Sequence, residues 1–330
     1  WLKAQEDMCV GPPSARAGPR DPPPPSPLGA NGRACAPRQQ RLPLLLVPGW
    51  LSTRLRIERS AIRPSWEGGL LWLSLRRLGA SSLCATCPQG PLQAPSLRNL
   101  WLRHFLLGAD GEDVDGVSVR PVDGLDGIAF LEPSEPARPF SYVFGPLIDA
   151  LSHAGYREGE DLEAATYDWR LAPCLLQQRD QLFDRMVAQV ERLDASGGGG
   201  GVALVGHSMG NQVVRYFLSY AQAKHGQAWI DRYVHMWVAV GSPHLGAPKA
   251  ARAVLLGDRF GLEAFLDPRE ALAVGRSFSS SPWLFPCGLP SPCLYLRREG
   301  LLEVEDVAAA LAPTWAAARR LRVIIEVDWG

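Results

Sequence analysis

The chain has 330 residues, with 34 Lys+Arg against 34 Asp+Glu, 46% hydrophobic and 21% charged. That balance belongs to a globular protein with a real core, long enough for one large α/β domain or two ordinary ones. A formal net charge of zero speaks against a nucleic-acid binder, which carries a basic stripe for phosphates. No apolar run reaches the roughly 18–20 residues that span a bilayer.

The chain opens on Trp1 rather than Met, so a fragment or processed product is expected and no targeting peptide can be read. Ten of the 29 prolines fall in the first 43 residues, including Pro22 to Pro25. A stretch so poor in apolar periodicity cannot offset its chain entropy by burial. Residues 1–41 are therefore expected to be a disordered Pro-rich tail, with a proline-motif ligand for a partner domain as the alternative. Leu42 to Pro48 is a short apolar run ending in Pro-Gly, which predicts a buried parallel strand and a following loop. Residues 50–116 read as a long irregular excursion, in which Leu97, Leu100, Trp101, His104, Phe105 and Leu107 keep helical spacing.

Further along, Val117 to Arg120 is a strand candidate and Val143 to Ala154 a short helix closed by Gly155. Leu162 to Tyr167 predicts another strand. From Leu175 to Leu193 the apolar residues follow a 3.6-residue period, one amphipathic helix. The glycines 197–201 are a linker, since no Lys-Ser/Thr follows as a phosphate loop requires. Then come strand Val202–Val205, a helix from about Met209 to Ala223, strand Val234–Val240, helix Lys249–Leu256 and an apolar strand over Val323–Val327. Strands alternating with helices predict a mostly parallel sheet with helices on both faces. Cys84/Cys87 and Cys287/Cys293 are the close pairs among seven cysteines. They read as local disulfides or free thiols rather than zinc ligands, because the spacing is poor and no histidine is near.

Gly206-His207-Ser208-Met209-Gly210 is a G-x-S-x-G pentapeptide between an apolar strand and an amphipathic helix, the context of a nucleophile elbow. The glycines would allow a sharp turn and close packing, and Ser208 would sit at the positive end of a helix. Two backbone N–H groups would form the oxyanion hole, that of Met209 and that of Trp50 in the Pro48-Gly49-Trp50 turn. The alternatives are a plain strand-to-helix serine and an ordinary Pro-Gly turn.

In this order, Leu46-Val47-Pro48-Gly49, Trp101-x2-His104, Gly116 to Arg120, Tyr167-Asp168-Trp169-Arg170-Leu171, Gly206 to Asn211 and Gly241 to Gly246 resemble the lecithin:cholesterol acyltransferase family. Val214 to Leu218 and Ser277 to Leu284 resemble its plant phospholipid:sterol acyltransferases. The resemblance runs from about residue 42 to 290. It implies an α/β-hydrolase fold over 42–330 with 50–116 as a lid or cap excursion. It also implies a lipid O-acyltransferase that moves an acyl group from a phospholipid donor to a sterol or diacylglycerol acceptor through a serine acyl-enzyme. No metal or organic cofactor is implied. Water as acceptor would make the same machinery a phospholipase. A membrane surface is an implied partner, and endoplasmic-reticulum association is suggested by the family. Trp101, Phe105, Leu106 and Leu107 would lie on a lipid-touching cap helix or on a core helix. Asp168 and Arg170 would pair at a strand end or line the active-site floor. Where relatives place a cysteine before the tryptophan this chain has Leu100, so the family's lid disulfide is not carried over.

A triad in this fold runs Ser, then Asp, then His. The last of six histidines is His244, and none follows an acid in that order. His225, His235 and His244 do not fit as base, and His207 reads as a packed neighbour of the serine. Asp328 is the candidate acid and no base is found. The expectation is an acyltransferase incomplete at its C-terminal end, with a non-catalytic lipid-binding homologue as the alternative.

Overall fold

The computed structural model describes residues 41–78, 97–134, 137–263 and 266–286, and beyond them the backbone of three short strands. Its centre is a four-stranded parallel sheet. Leu44–Val47 forms β1, and Leu55–Ser60 (β2), Leu70–Trp72 (β3) and Val117–Pro121 (β4) form a separate antiparallel sheet between them in order β3-β2-β4. Leu97–Phe105 is α1, Asp126–Ala129 α2 and Gly145–His153 α3. Then follow Leu162–Ala164 (β5), Pro173–Asp180 (α4), Leu182–Ser196 (α5), Val202–His207 (β6), Gly210–His225 (α6), Gln227–Tyr233 (α7) and Val234–Val240 (β7). The parallel sheet has the order β5-β1-β6-β7. Pro248–Leu256 is α8, Pro268–Ser277 α9 and Ser280–Trp283 α10.

The pleat of the strands sorts the core into two faces. Leu45, Val47, Val202 and Leu204 meet Phe183, Met186 and Val190 of α5 and Val213 and Phe217 of α6. Leu46, Leu162 and Ala164 point the other way, onto Leu125, Ile128 of α2 and Phe144. Helices thus cover both faces, a mixed α/β arrangement compatible with an α/β-hydrolase-like fold. On β7 this second face carries Met236, Val238 and Val240, which stay 39–47% exposed.

The sequence expectations hold for the parallel strands, differ in three places and are decided between alternatives in a fourth. First, the segment after Trp50 is not irregular. Leu55 and Ile57 are buried while Arg56 and Glu58 are exposed, so β2 is a half-buried strand whose period of two was present in the sequence. Second, the strand at 162 ends at Ala164, and residues 165–170 continue outside the ladder. Third, the long helix is broken at Gln181, which adopts φ +50°. Gln177 drives the break: its Oε1 accepts the Phe183 N–H at 2.9 Å, which starts α5. Fourth, of the two alternatives for α1, lipid-touching or core, the core helix is the one found. Trp101 and Phe105 are each 1% exposed. Their rings lie 4.4 Å apart, and Phe105 also packs on Trp72, Trp169 and Phe278.

Tyr295–Arg297 (β8), Leu301–Glu303 (β9) and Ile324–Glu326 (β10) make a small antiparallel sheet in order β10-β8-β9. The strand expected over Val323–Val327 therefore does not join the parallel sheet. Asp328, the Pro-rich tail, Cys84, Cys87, Cys287 and Cys293 lie outside the described residues. Cys174 is a free thiol. Among the described residues no helix is long and apolar enough to cross a membrane, and no cluster of His, Cys, Asp or Glu could hold a metal.

Candidate active site

β6 hands the chain to α6 through Ser208, and the turn is strained at the serine itself. Ser208 has φ +51°, a left-handed conformation that costs an L-residue about 1–2 kcal/mol. Gly206 and Gly210 do not take positive φ. They are needed for close approach: a Cβ on Gly210 would strike the Val47 and Pro48 carbonyls, and one on Gly206 would meet the Asn211 side chain. The expectation that the glycines carry the sharp turn is thereby corrected.

Asn211 holds the strained residue in place. Its backbone N–H and Nδ2 donate to the Ser208 carbonyl at 3.0 and 3.2 Å, and Nδ2 also donates to Val240 O at 3.1 Å. Its Oδ1 accepts from Trp237 Nε1 at 3.0 Å, while the Ser208 N–H donates to Val240 O at 2.9 Å. The elbow is thus bolted to the end of β7. In the sequence Asn211 stands only as part of a motif; its full burial and its four hydrogen bonds appear with the fold.

The turn after β1 lies against the elbow. A Cβ on Gly49 would come within 2.8 Å of Ser208 Cβ and 3.0 Å of the His207 carbonyl. The loop's carbonyls are held one after another. Tyr167 Oη donates to Pro48 O at 2.5 Å, Ser52 N–H to Gly49 O at 3.2 Å and Ser52 Oγ to Trp50 O at 3.1 Å. Trp72 Nε1 donates to Leu51 O and Trp169 Nε1 to Thr53 O, each at 2.9 Å. The N–H groups of Trp50 and Met209 donate to no described residue. A peptide whose carbonyl is anchored and whose N–H is uncommitted is prepared to donate to something else. We expect Gly49→Ala to push the Trp50 turn away from Ser208 and to slow fluorophosphonate labelling of the serine at least tenfold, read as a labelling rate on folded protein.

The other expected residues fall as follows. Met209 is fully buried just before α6, and Trp50 is partly buried with its ring edge-on to Phe260 at 5.1 Å. His207 sits edge-on to Phe144 at 5.9 Å, and burial lowers its pKa. Its Nδ1 has no partner among the described residues. His225, His235 and His244 are exposed. Among the described residues no histidine side chain is hydrogen-bonded to Ser208. His104 does pair with a serine, Ser60 Oγ at 2.8 Å from Nε2, but both residues are fully buried and Nδ1 bonds to Leu100 O. This is a satisfied core histidine, whose pKa burial lowers.

Asp168 and Arg170 do pair, and within a larger device. Arg170 contacts Asp168 at 2.7 Å and Asp113 at 2.9 Å. Arg179 contacts Asp168 at 2.7 Å and Asp180 at 2.9 Å. Arg120 closes the ring, 3.1 Å from Asp113 and 3.9 Å from Asp180. Six charges alternate in sign around a closed circuit. Burial would raise the Asp168 carboxyl, yet Arg170 and Arg179 outweigh it and hold it well below the usual carboxylate range.

The comparisons agree with this picture. Residues 98–298 match the profile described as lecithin:cholesterol acyltransferase. The chain is 34% identical to the lysosomal phospholipase A and acyltransferase of Homo sapiens, over 76% of this chain and 58% of that protein. It is 31% identical to the phospholipid–sterol O-acyltransferase of Arabidopsis thaliana, over 73% of this chain and 37% of that protein. With the phospholipid:diacylglycerol acyltransferase of Saccharomyces cerevisiae it shares 27% identity, over 57% of this chain and 30% of the yeast protein. The matched region therefore spans from under a third to under three-fifths of these relatives. Elbow, anchored loop and matched profile converge: the chain belongs to the lecithin:cholesterol acyltransferase family.

Proposed function

We propose that this chain is a lipid O-acyltransferase, with its α/β-hydrolase unit running from residue 42 and residues 50–116 as a lid or cap. It takes a fatty acyl group from a phospholipid and passes it to the hydroxyl of a sterol or diacylglycerol. Ser208 Oγ attacks the ester carbonyl and loses its proton to a general base. The carbonyl oxygen becomes an oxyanion that the Trp50 and Met209 N–H groups stabilise. Collapse breaks the bond to the lysophospholipid oxygen, which takes up the proton, and leaves the acyl group on Ser208. The acceptor hydroxyl then repeats the sequence in reverse. The observation that carries this reading is the strained φ of +51° at Ser208, in a G-x-S-x-G turn pressed against the Gly49 loop. Strain of this kind persists where the surroundings over-determine it, and it gathers at functional sites.

Phosphatidylcholine with a labelled acyl chain, supplied with sterol or diacylglycerol, tests the reading. Labelled steryl ester or triacylglycerol is expected. Labelled free fatty acid as the sole product would make the chain a phospholipase. A second reading, a lipid-binding homologue without turnover, draws on one observation: no described histidine reaches Ser208. Absence of both product and fluorophosphonate labelling would favour it.

A further inference from the structure

Trp101 and Phe105, open to either a lipid-touching or a core reading, are core residues, yet one aromatic ring is displayed in full. Phe140 is 90% exposed, the most exposed large apolar side chain among the described residues. It sits at the end of a 3-10 turn, Arg138–Phe140. Tyr142 and Leu147, two and seven residues further on, are 46% and 41% exposed, and Arg138 and Pro139 are exposed too.

This display is built into a fixed frame. Leu131 N–H donates to Ser141 O, Val143 N–H to Ala129 O and Phe144 N–H to Ile128 O, at 2.9 to 3.0 Å. Phe130 and Tyr142 form an antiparallel bridge, and the Arg138 guanidinium lies 4.5 Å from the Phe130 ring centroid. Four residues past Phe140, the buried Phe144 packs on His207, the neighbour of Ser208. One hydrogen-bonded segment therefore runs from the exposed ring to the neighbour of Ser208.

We propose that the Arg138–Leu147 segment docks the protein on a phosphatidylcholine surface, with Phe140 inserted among the acyl chains. The proposal rests on the reading of a phospholipid as acyl donor. The shape and chemistry favour this occupant. A single convex ring presents no groove for a rigid partner but enters a deformable lipid surface. Leu147 adds apolar area, Tyr142 suits the headgroup level where amphipathic rings collect, and the Arg138 guanidinium matches a lipid phosphate. A chain with zero formal net charge gains no general attraction to anionic membranes, so its anchoring must come from buried apolar area.

Flotation of the full chain with phosphatidylcholine vesicles tests this. Phe140→Ala is expected to lower the vesicle partition coefficient by about tenfold or more, Phe140→Trp to keep it, and neither to shift the thermal midpoint. Fluorophosphonate labelling in vesicle-free buffer should be unchanged in Phe140→Ala. Absence of wild-type flotation, or equal flotation of Phe140→Ala, overturns the proposal. So does sedimentation velocity in which Phe140→Ala dissociates a wild-type dimer, which would make a second copy the occupant. If flotation depends on Phe140 while phosphatidylcholine is never turned over, the docking surface stands and the transferase reading fails. If turnover on vesicles is indifferent to Phe140, the reverse holds.

Discussion

Ser208→Ala is expected to lower acyl transfer by roughly 10³- to 10⁶-fold, the range seen when an activated serine is removed. The alanine keeps the Cβ and the left-handed backbone, so the thermal midpoint should not move. Ser208→Gly separates strain from chemistry. Glycine adopts φ near +51° without penalty, so this variant should be inactive and more stable by about 1 kcal/mol. Rates with labelled phosphatidylcholine and calorimetric midpoints for the three proteins give the answer. Full transfer by either variant would remove Ser208 from the mechanism. A destabilised Ser208→Gly would remove the strain argument.

Arg170→Ala carries the largest expected loss of stability. Arg170 is fully buried between Asp168 and Asp113, and its Nη1 also donates to Phe105 O at 3.1 Å. Removing it leaves the buried Asp168 and Asp113 with one arginine each, Arg179 and Arg120, and breaking such buried pairs costs about 3–5 kcal/mol and lowers the midpoint by ~10 °C for a domain of this size. The same cut at Arg120 should cost about 1 kcal/mol or less, because that side chain is one-third exposed and water screens its charge. Equal losses at the two positions would show that the ring is no graded structure. The pH dependence has a definite sign. Asp168 has a folded-state pKa below its unfolded value, so its contribution is present above about pH 4 and is lost as pH falls through the depressed value. His104 and His207 also have lowered pKa values, so the unfolded chain takes up protons first below about pH 6.5. Unfolding free energy should therefore decline on acidification in two stages, and Arg170→Ala should weaken the second.

The two devices meet in one short segment. Tyr167 and Trp169 hold the carbonyls of the Gly49 loop, while Asp168 and Arg170 between and beside them sit in the charge ring. The four side chains divide between two tasks. One pair fastens the loop against Ser208, and the other ties it to α1, β4 and α4 through Phe105, Arg120 and Arg179. This accounts for the information packed into Tyr167 to Arg170, the string most telling of the family.

What could be read along the chain was what depends on near neighbours. Continuous apolar runs marked β1 and β6, since a strand buried on both faces needs no alternation; the same kind of run marked β7, although one of its faces stays exposed. The G-x-S-x-G turn between strand and helix marked Ser208, because its geometry is local. Even β2 was written in Leu55 and Ile57, and the break at Gln181 in the reach of Gln177 to Phe183, though neither signal was used. The rest lay beyond any local pattern. Whether Trp101 faced lipid or core depended on Trp72, Trp169 and Phe278 arriving from distant segments. The other two acids of the charge circuit, Asp113 and Asp180, are ordinary aspartates until the fold sets Arg120, Arg170 and Arg179 against them. Phe140 reads like any core aromatic, and only packing shows that nothing among the described residues covers it. Sequence alone determined the parallel strands, the elbow motif and the family, because apolar runs, turn chemistry and motif order survive in one dimension. Tertiary structure alone decided which aromatic is exposed, which residue bears the strain and how the charges close into a ring, because each depends on contacts between residues far apart in the chain.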